Sequence, residues 1–206
     1  MKERPILFNT EMVRAILDGR KTQTRRIWRK PKRHSNYDVY PRWVGKLFHL
    51  FSGGHCIGEI AMCPYGQPDD QLWVRETWAT LPLYDRMKPS QLVPKGTDLW
   101  WRAGGHTRFY NVEHGKWRPS IFMPRWASRL TLKVLDVRVE QVQSISHEDA
   151  LAEGIDPEAA YNDYGTGSIY RDTFAALWDS INAKRGFSWA SNPWVWAVTF
   201  EVVGGI

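Results

Sequence analysis

The stretch Gly19–Arg26 reads Gly-Arg-Lys-Thr-Gln-Thr-Arg-Arg, and we interpret the rest of the chain in relation to its concentrated positive charge. A helix is predicted to end at Gly19, because the preceding apolar residues have the spacing of one helical face. Asn9 or Thr10 can cap the start of that helix, and Glu11 suits its positive first turn. The apolar residues of this helix are Met12, Val13, Ile16 and Leu17. The stretch itself carries no carboxylate, so its cations must be solvated or meet an anion.

The positive charge of the chain is concentrated in one segment. The formal net charge is +6, and eight Lys and Arg residues with no Asp or Glu lie between Arg20 and Arg33. The rest of the chain is slightly acidic. A dense basic run of this kind indicates a local phosphate-binding footprint, with a solvated basic face as the alternative.

The length of 206 residues and the hydrophobic fraction of 43% predict a single globular domain over 1–206. Irregular insertions are expected at about 31–70 and 80–118, where Pro, Gly, Tyr and His interrupt every periodic pattern. Twelve tryptophans are many for this length. They either pack the core and its rim or form, in part, a surface on which nucleobases stack.

Several functional classes are disfavoured. Cys56 and Cys63 are the only cysteines, and no Cys/His spacing is typical of zinc, so no disulfide framework, metal or other cofactor is predicted. The N-terminal residues lack the apolar core of a signal peptide, and no apolar run reaches the length of a membrane span. We therefore expect a cytoplasmic protein without a membrane partner. The oligomeric state is left open.

Strand patterns dominate the rest of the chain. Alternation from Ser128 to Val142 predicts a long strand with a phase slip near Leu135, a feature of small barrels. Ser146 opens a short helix that ends at Glu153-Gly154, and a second amphipathic helix runs to about Gly186. Residues 31–55 show no sustained period and are interpreted as irregular. Further strands are predicted at Pro5–Phe8, Ile57–Met62, Leu72–Trp78, Leu99–Ala103 and Pro193–Val203.

The motif Gly-Arg-Lys-Thr-x-Thr-x-Arg at 19–26, placed after a short helix, resembles the signature of the ASCH domain family. This family is PUA-like and is tied to RNA metabolism. The resemblance implies an α+β fold, a mixed or antiparallel β-barrel flanked by a few short helices, with loop insertions. Other segments resemble the longer bacterial and prophage form of the family; they are Pro5–Phe8, Leu72–Thr77, Trp117–Pro124, Ser128–Leu130, Ala152–Ile155 and Asn192–Trp196.

The resemblance also implies candidate catalytic residues. Small family members are similar to N4-acetylcytidine amidohydrolases, in which a lysine is the base, a threonine the nucleophile and a glutamate the acid. Lys21 and Thr24 match the first two at the same spacing, and Glu153 is the best match for the third. Other members are described as cleaving single-stranded RNA, and PUA-like relatives include non-catalytic readers of RNA or modified bases.

The residues themselves allow the same chemistry. A helical or turn conformation would bring the Thr24 hydroxyl and the Lys21 ammonium to one side. Neighbouring arginines at 20, 25 and 26 would lower the lysine pKa and attract a phosphate or stabilise an oxyanion. The alternatives are a phosphate-binding turn without chemistry and, for Glu153, a helix-end residue paired with an arginine.

The candidate binding residues surround this site. An Arg75-Glu76 pair between tryptophans is expected either to form a partly buried ion pair or to line a pocket. Arg125 is a weaker candidate for a backbone phosphate. The predicted substrate- or nucleic-acid-binding set is Arg20, Arg25, Arg26, Trp28, Trp73, Arg75, Trp117 and Arg118.

The sequence thus predicts a protein that binds RNA or a modified nucleoside and hydrolyses the amide of an N4-acylated cytosine. A non-catalytic reader that uses the same cleft is the first alternative. A single-stranded RNA ribonuclease is the second, although no catalytic His pair is evident.

Overall fold

A computed structural model describes residues 1–29, 39–44, 47–60, 62–94, 96–107, 112–156 and 169–205. Within these ranges the chain contains ten strands, three α-helices and several single 3-10 turns, so the predicted α+β class is confirmed. The helices are α1 (Thr10–Leu17), α2 (His147–Ala152) and α3 (Ile169–Asn182). The strands are β1 (Glu3–Leu7), β2 (Gln23–Ile27), β3 (Val39–Val44), β4 (Leu47–Ser52), β5 (His55–Ile60), β6 (Gln71–Arg75), β7 (Trp78–Ala79), β8 (Trp100–Trp101), β9 (Leu130–Gln141) and β10 (Trp194–Gly205).

The chain divides into two compact units, each built from separate segments of sequence. Unit 1 comprises residues 1–19, 69–133 and 201–206, and unit 2 comprises residues 20–68 and 134–200. The strands β9 and β10 are neighbours in one five-stranded sheet and run through both units. None of the described helices is long and apolar enough to cross a membrane.

Unit 1 contains the N-terminal strand and the first helix. β1 pairs in parallel with β6, and β6 pairs antiparallel with the first residues of β9. Asn9 caps α1 by accepting a hydrogen bond from the Met12 amide, and Gly19 follows the helix with a φ of 72°, as its sequence predicts. The core of this unit is formed by Trp78, Leu92, Leu99, Trp101, Met123 and Ala127.

A buried ion pair stabilises the tryptophan-rich part of unit 1. Glu76 is 1% exposed and accepts two hydrogen bonds from the Arg129 guanidinium, at 2.9 and 3.1 Å. Burial raises the pKa of Glu76 above its ordinary value, although Arg129 acts in the opposite direction. Arg129 also donates to the carbonyl of Gly104 and lies over the ring of Trp101. The ion-pair partner of Glu76 is therefore Arg129, so the first of the two alternatives for the Arg75-Glu76 dipeptide, an ion pair between its two residues, is wrong.

Unit 2 contains β2 and the helices α2 and α3. β2 pairs antiparallel with β10 from Val195↔Ile27 to Thr199↔Gln23. Helix α3 ends before Gly186, which has a φ of 82°. The apolar core of this unit lies between the two helices and β10; its buried members are Val142, Ile145, Ala150, Ile155, Phe174, Trp178 and Val195.

The expectation of an irregular segment at 31–55 is wrong for its described part. β3, β4 and β5 form a three-stranded antiparallel sheet, and Phe48 of β4 contacts Trp196 of β10 edge to face. The turn between β4 and β5 is Gly53-Gly54, and both residues have a positive φ. A Gly-Gly pair between two β-rich runs is a hairpin signal that the sequence does carry. Residues 30–38 lie outside the described ranges.

The long strand β9 confirms the predicted phase slip. Buried and half-buried residues alternate from Leu130 to Val134, two exposed residues follow at 135 and 136, and Val137 is buried again. The buried residues are therefore even-numbered before Leu135, and the next buried residue, Val137, is odd-numbered, so the buried side of the strand changes at Leu135. The residues of β9 up to Lys133 belong to unit 1 and those from Val134 belong to unit 2.

Candidate functional site

The site forms where the start of β2 meets the end of α2, within unit 2. Lys21 and Glu153 form an antiparallel β-bridge, and the Thr22 amide donates to the carbonyl of Ala152. On its other side the Thr22 carbonyl accepts from the Phe200 amide of β10. Because its backbone is paired on both sides, the segment from Lys21 is extended. The helical or turn conformation expected between Lys21 and Thr24 is therefore wrong.

Lys21 is buried, and all three ammonium protons have acceptors. Its Nζ donates to the carbonyl oxygens of Gln23 and Glu153, both at 2.8 Å, and to Oε2 of Glu153 at 2.6 Å. The side chain is fully inaccessible, and that of Glu153 is 5% exposed. The fold thus brings together two of the predicted catalytic residues that are 132 positions apart.

Burial lowers the pKa of the Lys21 ammonium below its ordinary value. Glu153 opposes this change, while the positive charges of Arg26 and Arg25 add to it. The direction agrees with the sequence-based expectation, but desolvation is the larger cause and the neighbouring arginines are the smaller one. A lysine in such surroundings loses a proton more readily than one in water.

Arg25 is the second buried cation of the site. Its Nε and Nη2 donate to Oε1 of Glu140 at 2.9 and 2.7 Å, and Nη2 also donates to Oδ2 of Asp149 at 2.7 Å. Its Nη1 donates to Oε1 of Gln23 at 2.5 Å and to Oε1 of Glu153 at 3.3 Å. The five N–H groups of a guanidinium therefore meet five acceptor contacts inside the protein. The anion that Arg25 meets is a set of three carboxylates of this chain.

Gln23 and Asp149 complete this cluster. The Gln23 amide donates to Oδ1 of Asp149 at 3.0 Å and to the Thr199 hydroxyl at 3.3 Å. Asp149 also accepts from Arg138, whose side chain is 43% exposed. Burial acts to raise the pKa of Asp149, but Arg25, Gln23 and Arg138 outweigh it and the pKa is lowered. Glu140 and Asp149 were not among the predicted site residues, because nothing local in the sequence connects them to Arg25. Gln23 lies in the motif itself, two positions before Arg25, and was not predicted either.

Thr24 lies in β2 opposite Val198 and is 2% exposed. Successive side chains of a strand point to opposite sides. Gln23 and Arg25 both point toward Asp149 of α2, so the pleat directs Thr24 to the other side of β2. Thr24 is thus buried on the opposite side of the strand from Arg25 and from the Glu153 carboxylate that Arg25 and Lys21 both contact, so the structure brings Lys21 and Glu153 together but does not place the Thr24 side chain with them.

The other basic residues of the motif differ in exposure. Arg20 is exposed and donates to the carbonyl of Gly154 at 3.1 Å. Arg26 is half-buried, with its guanidinium 5.9 Å from the ring centre of Tyr65, and burial lowers its pKa. Trp28 is 9% exposed, and its amide donates to the carbonyl of Trp194. Trp28 therefore contributes to the core more than to a rim.

Four predicted binding residues belong to unit 1. Trp73 is 8% exposed, and the Arg75 guanidinium lies 4.6 Å from its ring centre. Arg75 also donates to the carbonyl of Ile121. Trp117 is half-buried and its ring centre lies 4.2 Å from that of His114.

Arg118 stabilises a loop of unit 1. Its Nη1 and Nη2 donate to the carbonyl oxygens of Met87 and Tyr84, at 2.9 and 2.6 Å. Its backbone pairs with Trp78, and its guanidinium lies over the indole of that residue. These contacts connect the 3-10 turn at Pro82–Tyr84, and Met87 after it, to β7. Among the described residues, no group of three or more His, Cys, Asp or Glu side chains could hold a metal ion.

The cap of α2 is important because this helix carries Asp149 and ends at Glu153. The Ser146 hydroxyl accepts from the Asp149 amide. We expect Ser146→Ala to lower the free energy of unfolding by about 1 kcal/mol, since an orphan amide loses its acceptor. Urea unfolding measures this change. Ser144→Ala, at an exposed position two residues earlier, is the control and should stay within about 0.5 kcal/mol of wild type; an equal loss in both variants would contradict the capping role.

Comparison with known proteins finds solved structures with low similarity to this chain. No protein-family model matches the chain, and no curated protein matches it. A solved protein of Enterococcus faecalis V583, assigned to family DUF984, is similar with a TM-score of 0.44 and 11% identity over 100% of this chain and 82% of its own. An ASCH domain of Lactobacillus crispatus JV V101 is similar with a TM-score of 0.43 and 11% identity, over 98% of this chain and 80% of its own.

The chain resembles an ASCH domain. Likeness at this level of identity and TM-score carries no argument about fold, activity or ligand.

Proposed function

We propose that this protein binds a modified nucleobase and hydrolyses the amide of an N4-acylated cytosine, with Lys21 as base, Thr24 as nucleophile and Glu153 as acid. One observation carries the proposal. The Lys21 ammonium, fully buried, contacts the Glu153 carboxylate at 2.6 Å. Amide hydrolysis needs a base for the nucleophile and an acid for the leaving amine, and this pair can supply both.

The pair reaches its reactive form without a proton from solvent. Transfer of one proton across the short contact converts the ammonium and carboxylate of Lys21 and Glu153 into an amine and a carboxylic acid. Burial supports this change because it disfavours the charged lysine. The neutral pair is the form that the reaction requires.

The reaction then proceeds in two balanced steps. Because the pleat of β2 directs Thr24 away from the Lys21–Glu153 pair, the first step requires the start of β2 to shift so that the Thr24 hydroxyl meets Lys21. The Lys21 amine then accepts the proton of that hydroxyl as the oxygen attacks the acyl carbon, and Glu153 gives its proton to N4 as the carbon–nitrogen bond breaks. Cytidine leaves with the proton, and an acyl ester remains on Thr24. Water then hydrolyses the ester, which releases the carboxylic acid and restores the hydroxyl.

A non-catalytic reader of RNA or modified bases is the second candidate. The hydrogen bonds of the buried cations favour it. The donors of Lys21 and Arg25 all meet acceptors of the protein, as in residues that hold a fold together without taking part in a reaction. Of the five basic residues at 20–29, only Arg20 and Arg29 are exposed. A reader would therefore bind phosphates with fewer cations than the sequence suggests.

A chromatographic assay with N4-acetylcytidine distinguishes these functions. We expect wild-type protein to convert it to cytidine and acetate in a reaction that depends on protein concentration. Absence of cytidine, together with binding of labelled single-stranded RNA that weakens as salt rises, would overturn the hydrolase and support the reader. Shortening of that RNA in a parallel reaction would indicate a ribonuclease.

A further inference from the structure

The buried guanidinium of Arg25 is fixed from several directions. Glu140 of β9 accepts from Nε and Nη2. Asp149 of α2 also accepts from Nη2, and Gln23 accepts from Nη1. Phe174 of α3 lies over the group, with the guanidinium carbon 5.9 Å from its ring centre. A planar group with every donor matched in this way has one orientation.

This orientation gives the Glu153 carboxylate a second, longer contact beside that to Lys21. Arg25 Nη1 contacts Oε1 of Glu153 at 3.3 Å, and Lys21 Nζ contacts Oε2 at 2.6 Å. The carboxylate therefore spans the two cations and presents a defined oxygen to each. Without the contact to Arg25, rotation of the carboxylate would no longer be restricted at Oε1.

We propose that Arg25 is a positioning residue that orients Glu153 toward Lys21, and that Glu140 and Asp149 hold Arg25 in place for this task. This inference rests on the proposed function and adds to it three residues that touch neither the nucleophile nor the scissile bond. Arg25 acts through Glu153 and is not itself a catalytic residue.

The charges around Arg25 support a positioning role over a substrate-binding one. The groups facing it are Glu140 from β9, Asp149 from α2, Glu153 at the end of α2 and the Lys21 ammonium. Since two carboxylates take the shorter contacts, at 2.7 Å, Arg25 holds Glu153 only at the longer distance of 3.3 Å. Glu153 thereby keeps Lys21 as its nearest partner.

The test compares Arg25→Lys and Asp149→Asn with wild type. Arg25→Lys keeps the charge but removes the planar fork, and Asp149→Asn keeps the shape but removes one of the charges that fix it. For both variants we expect kcat for cytidine release to fall, by about 100-fold for Arg25→Lys, with KM changed less than about twofold. Arg138→Lys is the matched control, because its exposed side chain also contacts Asp149, and its kcat should equal that of wild type.

An NMR measurement of the Lys21 ammonium tests the same inference without any enzymatic turnover. In protein labelled with ¹⁵N and ¹³C at lysine, the buried Lys21 ammonium should give an NMR signal that exchanges slowly with water. We expect this signal to broaden or vanish in Arg25→Lys and Asp149→Asn and to persist in Arg138→Lys.

The possible failures can be told apart. Unchanged kcat and an unchanged Lys21 signal in the two cluster variants would overturn the positioning role. If wild type releases no cytidine, the proposed function fails, and the Lys21 signal still decides whether Arg25 orders the pair. If Arg25→Lys does not give a cooperative thermal unfolding transition, Asp149→Asn, at the partly exposed edge of the cluster, decides the question.

Discussion

Replacement of Thr24 by valine is expected to lower the rate of cytidine release from N4-acetylcytidine by at least about 1,000-fold, because the variant lacks the attacking oxygen. Valine has nearly the size of threonine, so the buried position opposite Val198 stays filled. The measurement is the initial rate at saturating substrate. Thr24→Ser, which keeps a hydroxyl, should retain part of the activity.

Thr22→Val is the matched control for this prediction. Thr22 carries the same side chain two positions earlier in the motif but is exposed. Its backbone amide and carbonyl, not its hydroxyl, make the hydrogen bonds to Ala152 and Phe200. We expect its rate to stay within about twofold of wild type, as for surface substitutions in general. Turnover by Thr24→Val at the wild-type rate would remove Thr24 from the mechanism and assign the attack to water.

Replacement of Lys21 by methionine is expected to lower the free energy of unfolding by about 3–5 kcal/mol, because it leaves the buried Glu153 carboxylate without its nearest countercharge. The backbone carbonyls of Gln23 and Glu153 also lose the donor that they share. Urea unfolding followed by circular dichroism gives this value from the shift of the midpoint and the slope.

Two further variants test whether burial is the reason for this loss. Lys133→Met removes a lysine that pairs with Asp69 at 3.0 Å on the surface, and its urea midpoint should stay close to that of wild type. Combining Lys21→Met with Glu153→Leu removes both charges and should recover part of the stability. A Lys21→Met protein as stable as Lys133→Met would contradict the buried ion pair.

The elements that sequence reasoning predicted well are those with a local cause. Asn9 caps α1, Ser146 caps α2, and the phase slip at Leu135 appears in β9 because each depends on residues close in sequence. The stretch at 19–26 behaves differently. Its extended conformation is imposed by β10 and by Ala152, which are remote in sequence, and no local pattern in the motif indicates them.

The ion pairs of the site also depend on residues that are remote in sequence. The proximity of Lys21 and Glu153 was expected from the family resemblance, not from spacing, and the structure brings the two together. The partners of Arg25 were missed because Glu140 and Asp149 come from a strand and a helix more than 100 positions later. A basic run in a sequence therefore predicts a phosphate site only for those cations that the fold leaves exposed.

The Arg75-Glu76 dipeptide gives a second example. The position of the two charges between tryptophans indicated an ion pair or a pocket, but the partner of Glu76 is Arg129, which immediately precedes β9. Arg75 instead lies over Trp73 and donates to the carbonyl of Ile121. Neighbours along a strand point to opposite sides, so an ion pair between adjacent residues was the less favourable of the two expectations.

The central claim is that the Lys21–Glu153 pair meets the amide of an N4-acylated cytosine. A crystal structure of the Thr24→Val variant, soaked with N4-acetylcytidine, tests this claim most directly, because the variant should bind the substrate without consuming it. We predict density for the intact nucleoside with its N4-acetyl group within hydrogen-bond distance of Lys21 Nζ and the Glu153 carboxylate. Density for the nucleoside at another surface, with the Lys21–Glu153 pair unchanged, would contradict the claim.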